Sequence, residues 1–231
     1  MRNSLSRFVL VSSVTVVSLS MAHAARAAVI LNSGFEDFSE IPLADGQLTS
    51  TANPSANPNV YVTSNPAPGW TVDTQAGGTM NPTNAYMPGE ALGGQYVGWS
   101  SGALIYQVLT DDIQPSTEYV LTVNIGRPTV STDNFAYRLI MESQGLVDIQ
   151  DMNTQPIAVG TWEPVTIVWD SPAVVEPGHK LTINMAADQG VALFDNVEVS
   201  GGPIPFIPEP AAAMTMLFPI AAGMMNRRRK A

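Results

Sequence analysis

Apolar and polar residues alternate in short runs along most of this chain, and Gly, Pro, Asn and Asp separate the runs. The clearest run is EYVLTVNIG, residues 118–126, with Tyr119, Leu121, Val123 and Ile125 in one parity and Thr122 and Asn124 in the other. EPVTIVW (163–169) repeats the pattern with Val165, Ile167 and Trp169, and KLTINMA (180–186) with Leu181, Ile183 and Met185. ALFDNVEVS (192–200) places Leu193, Asp195, Val197 and Val199 in one parity, and ALIYQVL and FAYRLIME are two further strand candidates. Side chains alternate across a strand, so each run predicts one core-facing side. Between residues 28 and 205 there is no amphipathic helical period. Many short strands at this spacing predict an all-β fold, an antiparallel β-sandwich of the jelly-roll kind.

Residues 41–95 break the pattern. They are rich in Asn, Pro, Thr and Gly, as in STANPSANPNVYVTSNPAPGW. Proline is excluded from central strands, so long loops are expected here, with short strands near Val60, Trp70 and Tyr96. Loops on a rigid sandwich are a common place for a binding surface.

The two ends read differently from the middle. Residues 1–27 open with two arginines, Arg2 and Arg7, followed by an apolar stretch from Phe8 to Ala22 and small residues at Ala25 and Ala27, the layout of a secretory signal peptide. At the other end, Pro208-Glu209-Pro210 precedes an apolar run from Ala211 to Met225, interrupted by Pro219 and closed by Arg227, Arg228, Arg229 and Lys230. Fifteen residues of helix extend about 22 Å, short of the roughly twenty residues a spanning helix uses. A short apolar helix is expected at each end. GGPIPFI, residues 201–207, reads as a spacer before the tail.

The charge balance sharpens once the ends are set aside. The chain carries ten basic and twenty acidic residues, a net charge of −10. Between Glu36 and Glu209 only Arg127, Arg138 and Lys180 are basic, against all twenty acids, a net charge of −17. Such a field repels nucleic acid and favours cations. The chain has no cysteine, so neither a disulfide nor a thiolate can staple the exported part or act as nucleophile. Bound calcium is another staple that an acidic exported domain can use.

Two resemblances follow from these residues. LNSGFE (31–36), PGW (68–70), IYQVLTDDIQPSTEYVLTVNIG and the closing ALFDNVEVS, in that order, resemble the galactose-binding-like jelly rolls of carbohydrate-binding modules, over roughly residues 29–200. The resemblance implies a structural calcium held by Glu36 and Asp195, with backbone carbonyls near Asn32 and Gly34. A carboxylate on the core-facing parity of the last strand also demands a partner on physical grounds; the alternative is that Asp195 sits at a local bulge and caps backbone amides. The tail resembles the PEP-CTERM sorting signal. That implies handling by an exosortase in a Gram-negative bacterium, transient anchoring in the inner membrane, and release to the cell surface or extracellular matrix.

Catalytic patterns are sparse. GWSSG (98–102) fits the nucleophile-elbow spacing at Ser100, but strands flank it where that chemistry needs a helix behind the serine, and a triad would have to recruit His179. Asp111 and Asp112 are adjacent, so they do not pair across a substrate, and Asp188 in AADQG reads as a turn acid. Trp99 and Tyr96 are the first candidates for sugar stacking, which would make an extracellular polysaccharide a partner. Trp70 and Trp162 read as core. Some calcium-bound jelly rolls resembling this one are small-molecule cyclases with an acidic proton donor, a part open to Asp195 or Asp133. The main expectation from sequence is a non-catalytic, calcium-stapled surface or matrix protein. A carbohydrate-binding module and a cyclase are the alternatives.

Overall fold

The computed structural model describes residues 29–37, 42–50, 61–63, 67–74, 76–131, 134–143, 150–153 and 156–204. The leader, the tail and Asp133 lie outside the described residues, and so do the helices expected at the two ends.

The described residues form twelve strands in two facing sheets. In chain order they are β1 Leu48–Ser50, β2 Tyr61–Thr63, β3 Thr71–Val72, β4 Gly77–Met80, β5 Val97–Ser100 and β6 Leu104–Asp112. They continue with β7 Thr117–Arg127, β8 Ala136–Ser143, β9 Gln150–Asn153, β10 Thr161–Asp170, β11 Lys180–Gln189 and β12 Ala192–Pro203. The first sheet runs β10-β7-β12-β5-β4-β1-β2 and the second β3-β6-β11-β8-β9. Pairing is antiparallel apart from β1 with β2. The fold is the all-β sandwich expected from the alternation.

The strong runs build the core as their parity dictates. Tyr119, Leu121, Val123 and Ile125 of β7 are buried with Val165, Ile167 and Trp169 of β10. Tyr137, Leu139 and Met141 of β8 and Leu181, Ile183 and Met185 of β11 face them from the second sheet. Burying one such aliphatic side chain is worth roughly 1.5–3 kcal/mol, and these residues are what hold the sheets together. The opening turn also belongs to this core. Phe35 is fully buried and stacks on Trp70, ring centroids 5.0 Å apart, and a side chain at Gly98 would meet the Phe35 ring at 2.5 Å.

One parity expectation needs correction. Leu193, Asp195, Val197 and Val199 do not share a face. The ladder between β12 and β7 shifts register between Asp195 and Glu198, where Asn196 takes a left-handed φ of 48°. A bulge adds one residue and reverses parity beyond it. Phe194 and then Val197 and Val199 therefore enter the main core, while Leu193 joins a second cluster with Leu48, Met80, Met87, Val97 and Trp99. This second cluster lies on the other side of the first sheet, under the segment 81–96. That segment is what reaches Asp195. β12 also runs to Pro203, so residues 201–203 are strand and not spacer.

The loop-rich segment contains two strands the alternation did not reveal, β1 and β4. All four residues of β4, GGTM, are buried. At Gly78 an added Cβ would lie 2.4 Å from Thr49 Oγ1 and 2.7 Å from the Thr49 carbonyl oxygen. Glycine is there because β1 comes that close, and it carries no hydrophobic signal. Gly78→Ala should destabilise the protein by about 1–3 kcal/mol, the range for overpacking a filled site. Urea unfolding of the variant, with an unchanged slope and a lower midpoint, checks this.

Candidate functional site

Two carboxylates converge where the opening turn, the segment 91–95 and the last strand meet. Asp195 is 0 % exposed. Its Oδ2 accepts the Leu92 N–H at 2.8 Å and its Oδ1 the Asn196 N–H at 2.7 Å, with a third backbone N–H from Gly93. Glu36 Oε1 accepts the N–H groups of Gln95 at 2.9 Å and Tyr96 at 2.8 Å. Gly34 lies between the two side chains. A Cβ there would be 3.6 Å from Asp195 Oδ1 and 3.7 Å from Glu36 Cγ. Burial pushes the Asp195 carboxyl above its ordinary range, and the Glu36 charge adds to this against the three N–H groups. Among the described residues the ion pair found is Arg138 with Asp188, so no cationic side chain balances this pair.

A hard cation fits that need. Two carboxylates around a glycine turn, without a basic partner, supply charge and oxygen ligands of the kind calcium takes. The Asn32 position is different. Its carbonyl already accepts the Trp70 indole N–H at 2.9 Å and the Phe35 N–H at 3.1 Å. Its side chain bonds Asp37 and Pro68, so Asn32 fixes the turn.

The aromatic candidates are placed inside. Trp99 and Tyr96 are each 7 % exposed, and the Trp99 indole donates to the Thr49 carbonyl at 3.1 Å. Neither offers a ring face to a sugar; both fill the two clusters, as Trp70 does. Trp162 is half-buried against the second cluster, its indole donating to the Glu90 carbonyl.

Ser100 is no nucleophile. It ends β5 and is fully buried; its Oγ donates to the Ala103 carbonyl at 2.6 Å and accepts the Ala187 N–H at 3.0 Å. His179 precedes the other end of β11. Eight residues of strand at about 3.3 Å each separate the two levels.

The outward face of the second sheet carries chemistry that sequence inspection missed. Leu181, Ile183, Met185 and Ala187 point into the core, so Thr182, Asn184, Ala186 and Asp188 point away from it. Across the ladder Asn184 faces Tyr106 on one side and Ile140 on the other, Thr182 faces Glu142, and Ala186 faces Arg138. Asn184 Nδ2 donates to Glu142 Oε2 at 3.3 Å. Arg138 holds Asp188 Oδ1 through Nη2 at 2.9 Å and Nε at 3.1 Å. Asp188 is thus no turn acid; it stands at a bulge in β11, between the register pairs of Ala187 and Gln189. Thr182, Asn184 and Ala186 are buried although they point outward. The face carries an aromatic ring, an amide, a carboxyl and an ion pair. Alternation marks both Glu142 and Tyr106 as outward residues; only the register brings them beside Asn184.

Residues 26–200 match the HpiC1-like family, whose description is HpiC1 cyclase. The chain belongs to the HpiC1-like family. Among solved structures, the chain is similar to a Stig cyclase, Fisc, from Fischerella sp. TAU in complex with (3Z)-3-(1-methyl-2-pyrrolidinylidene)-3H-indole. The TM-score is 0.60 at 21 % identity, over 79 % of this chain and 100 % of that one. A cyclase from Fischerella sp. TAU in complex with 4-(1H-indol-3-yl)butan-2-one aligns at 0.58 and 20 % identity, with the same coverage. A carbohydrate-binding module, TmCBM61 in complex with β-1,4-galactotriose, is similar at 0.43 and 13 % identity, over 76 % and 98 %. No curated protein matches the chain. Membership in a cyclase family overturns the expectation of a non-catalytic surface protein. That expectation rested on the absence of a catalytic sequence motif, and an acid-driven cyclase needs only a well-placed acid and a room for its substrate.

Proposed function

We propose that this HpiC1-like protein is an exported cyclase that closes a ring in a small aromatic substrate held on the outward face of the second sheet. The family match over residues 26–200 carries the proposal. Such a ring closure is an isomerisation. A carboxylic acid gives its proton to an unsaturated carbon, a second π-bond captures the cation to form the ring bond, and a proton is then lost. Glu142 is the proton donor in this reading. Asn184 holds its carboxyl from one side, and the ring of Tyr106, across the ladder from Asn184, flanks the cation. Arg138 keeps Asp188 as a fixed anion on the same face. Asp195 is too enclosed to reach a substrate, and its oxygens are taken by backbone N–H groups.

Calcium belongs at Glu36 and Asp195. Bound there it neutralises both carboxylates and ties the opening turn, the segment 91–95 and the last strand together. The carbonyl of Gly34 is the backbone ligand to be tested. Residues 1–27 act as the leader, and Pro208, Glu209, Pro210 with Arg227, Arg228 and Arg229 act as an exosortase recognition tag that anchors the chain in the inner membrane before release.

Indole-bearing ligands of two similar structures suggest the probe. Calorimetric titration with 4-(1H-indol-3-yl)butan-2-one should show one saturable site, weakened about fivefold by Tyr106→Ala, since an aromatic contact contributes on the order of 1 kcal/mol. Heat that is indifferent to Tyr106→Ala would move the substrate off this face.

A further inference from the structure

Beyond the bulge at Asn196 the last strand loses one of its two neighbours. β5 pairs with Ala192, Leu193 and Phe194 of β12, whereas β7 stays beside β12 as far as Pro203. On the side that β5 leaves, the Val197 N–H donates to the Ser33 carbonyl of the opening turn at 3.0 Å. Backbone groups alternate sides along a strand, so the N–H and C=O of Val199 and Gly201 point to this same open side. Among the described residues no backbone group takes them there.

A groove of about 310 Å³ lies along this edge. The opening segment lines it with Ile30 and Ser33, β7 with Val120 and Thr122, and β12 with Glu198 and Ser200. Register sets Thr122 opposite Glu198 and Val120 opposite Ser200. Glu198 is exposed and is the charged member of this lining. The next acids on the face are Glu118 of β7 and Asp170 of β10, which stand opposite each other and level with Gly202. The bases among the described residues are engaged elsewhere. Arg127 donates to the Ser131 and Ile157 carbonyls, Arg138 holds Asp188, and Lys180 donates to the Thr110 carbonyl. The groove therefore offers acceptors, a carboxylate with hydroxyls and open carbonyls, and its complement is an ammonium group with three N–H donors.

The chain itself can deliver that group. The described residues begin at Val29, and Ile30 already lines the groove. Removal of the leader after Ala27 makes Ala28 the first residue and gives it a free α-ammonium. Two residues of backbone span at most about 7 Å, so the ammonium lies within reach of the groove from Ile30. In the precursor the same nitrogen is an uncharged amide. We propose that the α-ammonium of Ala28 in the processed protein occupies this groove, against the Glu198 carboxylate and the open carbonyl of Val199. The inference rests on the leader reading given above. The segment tied in this way leads straight into the turn Asn32–Glu36, so leader removal fixes the entry to the turn that carries the Glu36 carboxylate.

Mass spectrometry of the exported protein comes first. A start at Ala28 is expected, and any other start overturns the leader reading and this inference with it. Acylation of the amino terminus at neutral pH then tests the groove, because an ammonium held by a carboxylate gives up its proton less readily. The processed chain should react about two- to fivefold more slowly than its Glu198→Gln variant, the effect of an exposed ion pair. Glu163→Gln, an exposed acid on β10, should react like the parent. A Gly-Ser pair placed before Ala28 carries the ammonium out of the groove and should abolish the difference. Equal rates in the parent and in Glu198→Gln, both starting at Ala28 and both folded by their melting, would overturn the groove and leave the leader reading intact. A rate difference that grows with protein concentration would also overturn it, since the groove would then hold the amino terminus of a second copy.

Discussion

Glu142→Gln is expected to lower ring-closing turnover by about 10²–10⁴-fold, the usual contribution of a positioned general acid. The substitution keeps the shape of the side chain and removes its acidic proton. Glu142 is half-buried on the outward face of β8, so stability should stay within about 0.5 kcal/mol of the parent. Asn184→Ala should act through the same group. It removes the amide that holds Glu142 Oε2, and it should lower kcat more than it raises KM. Exposed Glu163→Gln serves as the control and should be silent. Steady-state kinetics of the three variants check the set. Full activity in Glu142→Gln would remove this residue from the mechanism.

Chelation is expected to cost the protein about 2.7 kcal/mol when calcium had been present at a hundred times its dissociation constant. For a domain of this size that corresponds to a fall in Tm of roughly 5–10 °C. The effect depends on pH with a definite sign. The Asp195 carboxyl is raised above its ordinary value of 3.8 by burial and then by Glu36. In chelator the folded state therefore binds this proton more tightly than the unfolded state. Stability should fall as pH rises from the ordinary carboxyl range through the raised one. With calcium the cation replaces the proton, and this fall disappears. The gap in Tm between calcium and chelator should open above about pH 4 and be fullest at neutral pH. Asp195→Ala should be worse than chelation. It leaves the N–H groups of Leu92, Gly93 and Asn196 without their acceptor, at about 1–3 kcal/mol for each that stays buried. Differential scanning calorimetry over pH, with and without calcium, reads all of this. Identical melting curves in calcium and chelator at neutral pH would remove the metal.

The strands of the core were legible because their alternation is strong. Tyr119 to Ile125, Val165 to Trp169 and Leu181 to Met185 announce their buried parity, and the structure keeps it. β4 was not legible, because Gly77 and Gly78 are chosen for the closeness of neighbouring groups and carry no apolar signal. The bulge at Asn196 was hidden for another reason. Nothing in FDNVEV separates a regular strand from one that takes a left-handed residue, and the parity of Val197 and Val199 fits the core only after the extra residue is counted. For the site the same limit applies. The approach of Glu36 and Asp195 to one another was implied by the family pattern of the opening and closing motifs. The cluster on the outward face of the second sheet was not, since Tyr106, Arg138, Glu142 and Asn184 lie on three strands, and register alone makes them neighbours. Trp99 and Tyr96 show the reverse error. Aromatic residues in a loop-rich stretch suggested a sugar platform, but in the fold they supply core where short strands are poor in apolar residues.

Ring closure by this protein can be measured outright. The direct measurement is incubation of the purified full-length protein, calcium present, with a panel of indoles carrying an unsaturated side chain, followed by chromatography and mass spectrometry. The expected result is a product of unchanged mass and new retention time, formed only with enzyme and lost in Glu142→Gln. Folded, calcium-loaded protein that binds the indoles and returns every one of them unaltered would contradict it.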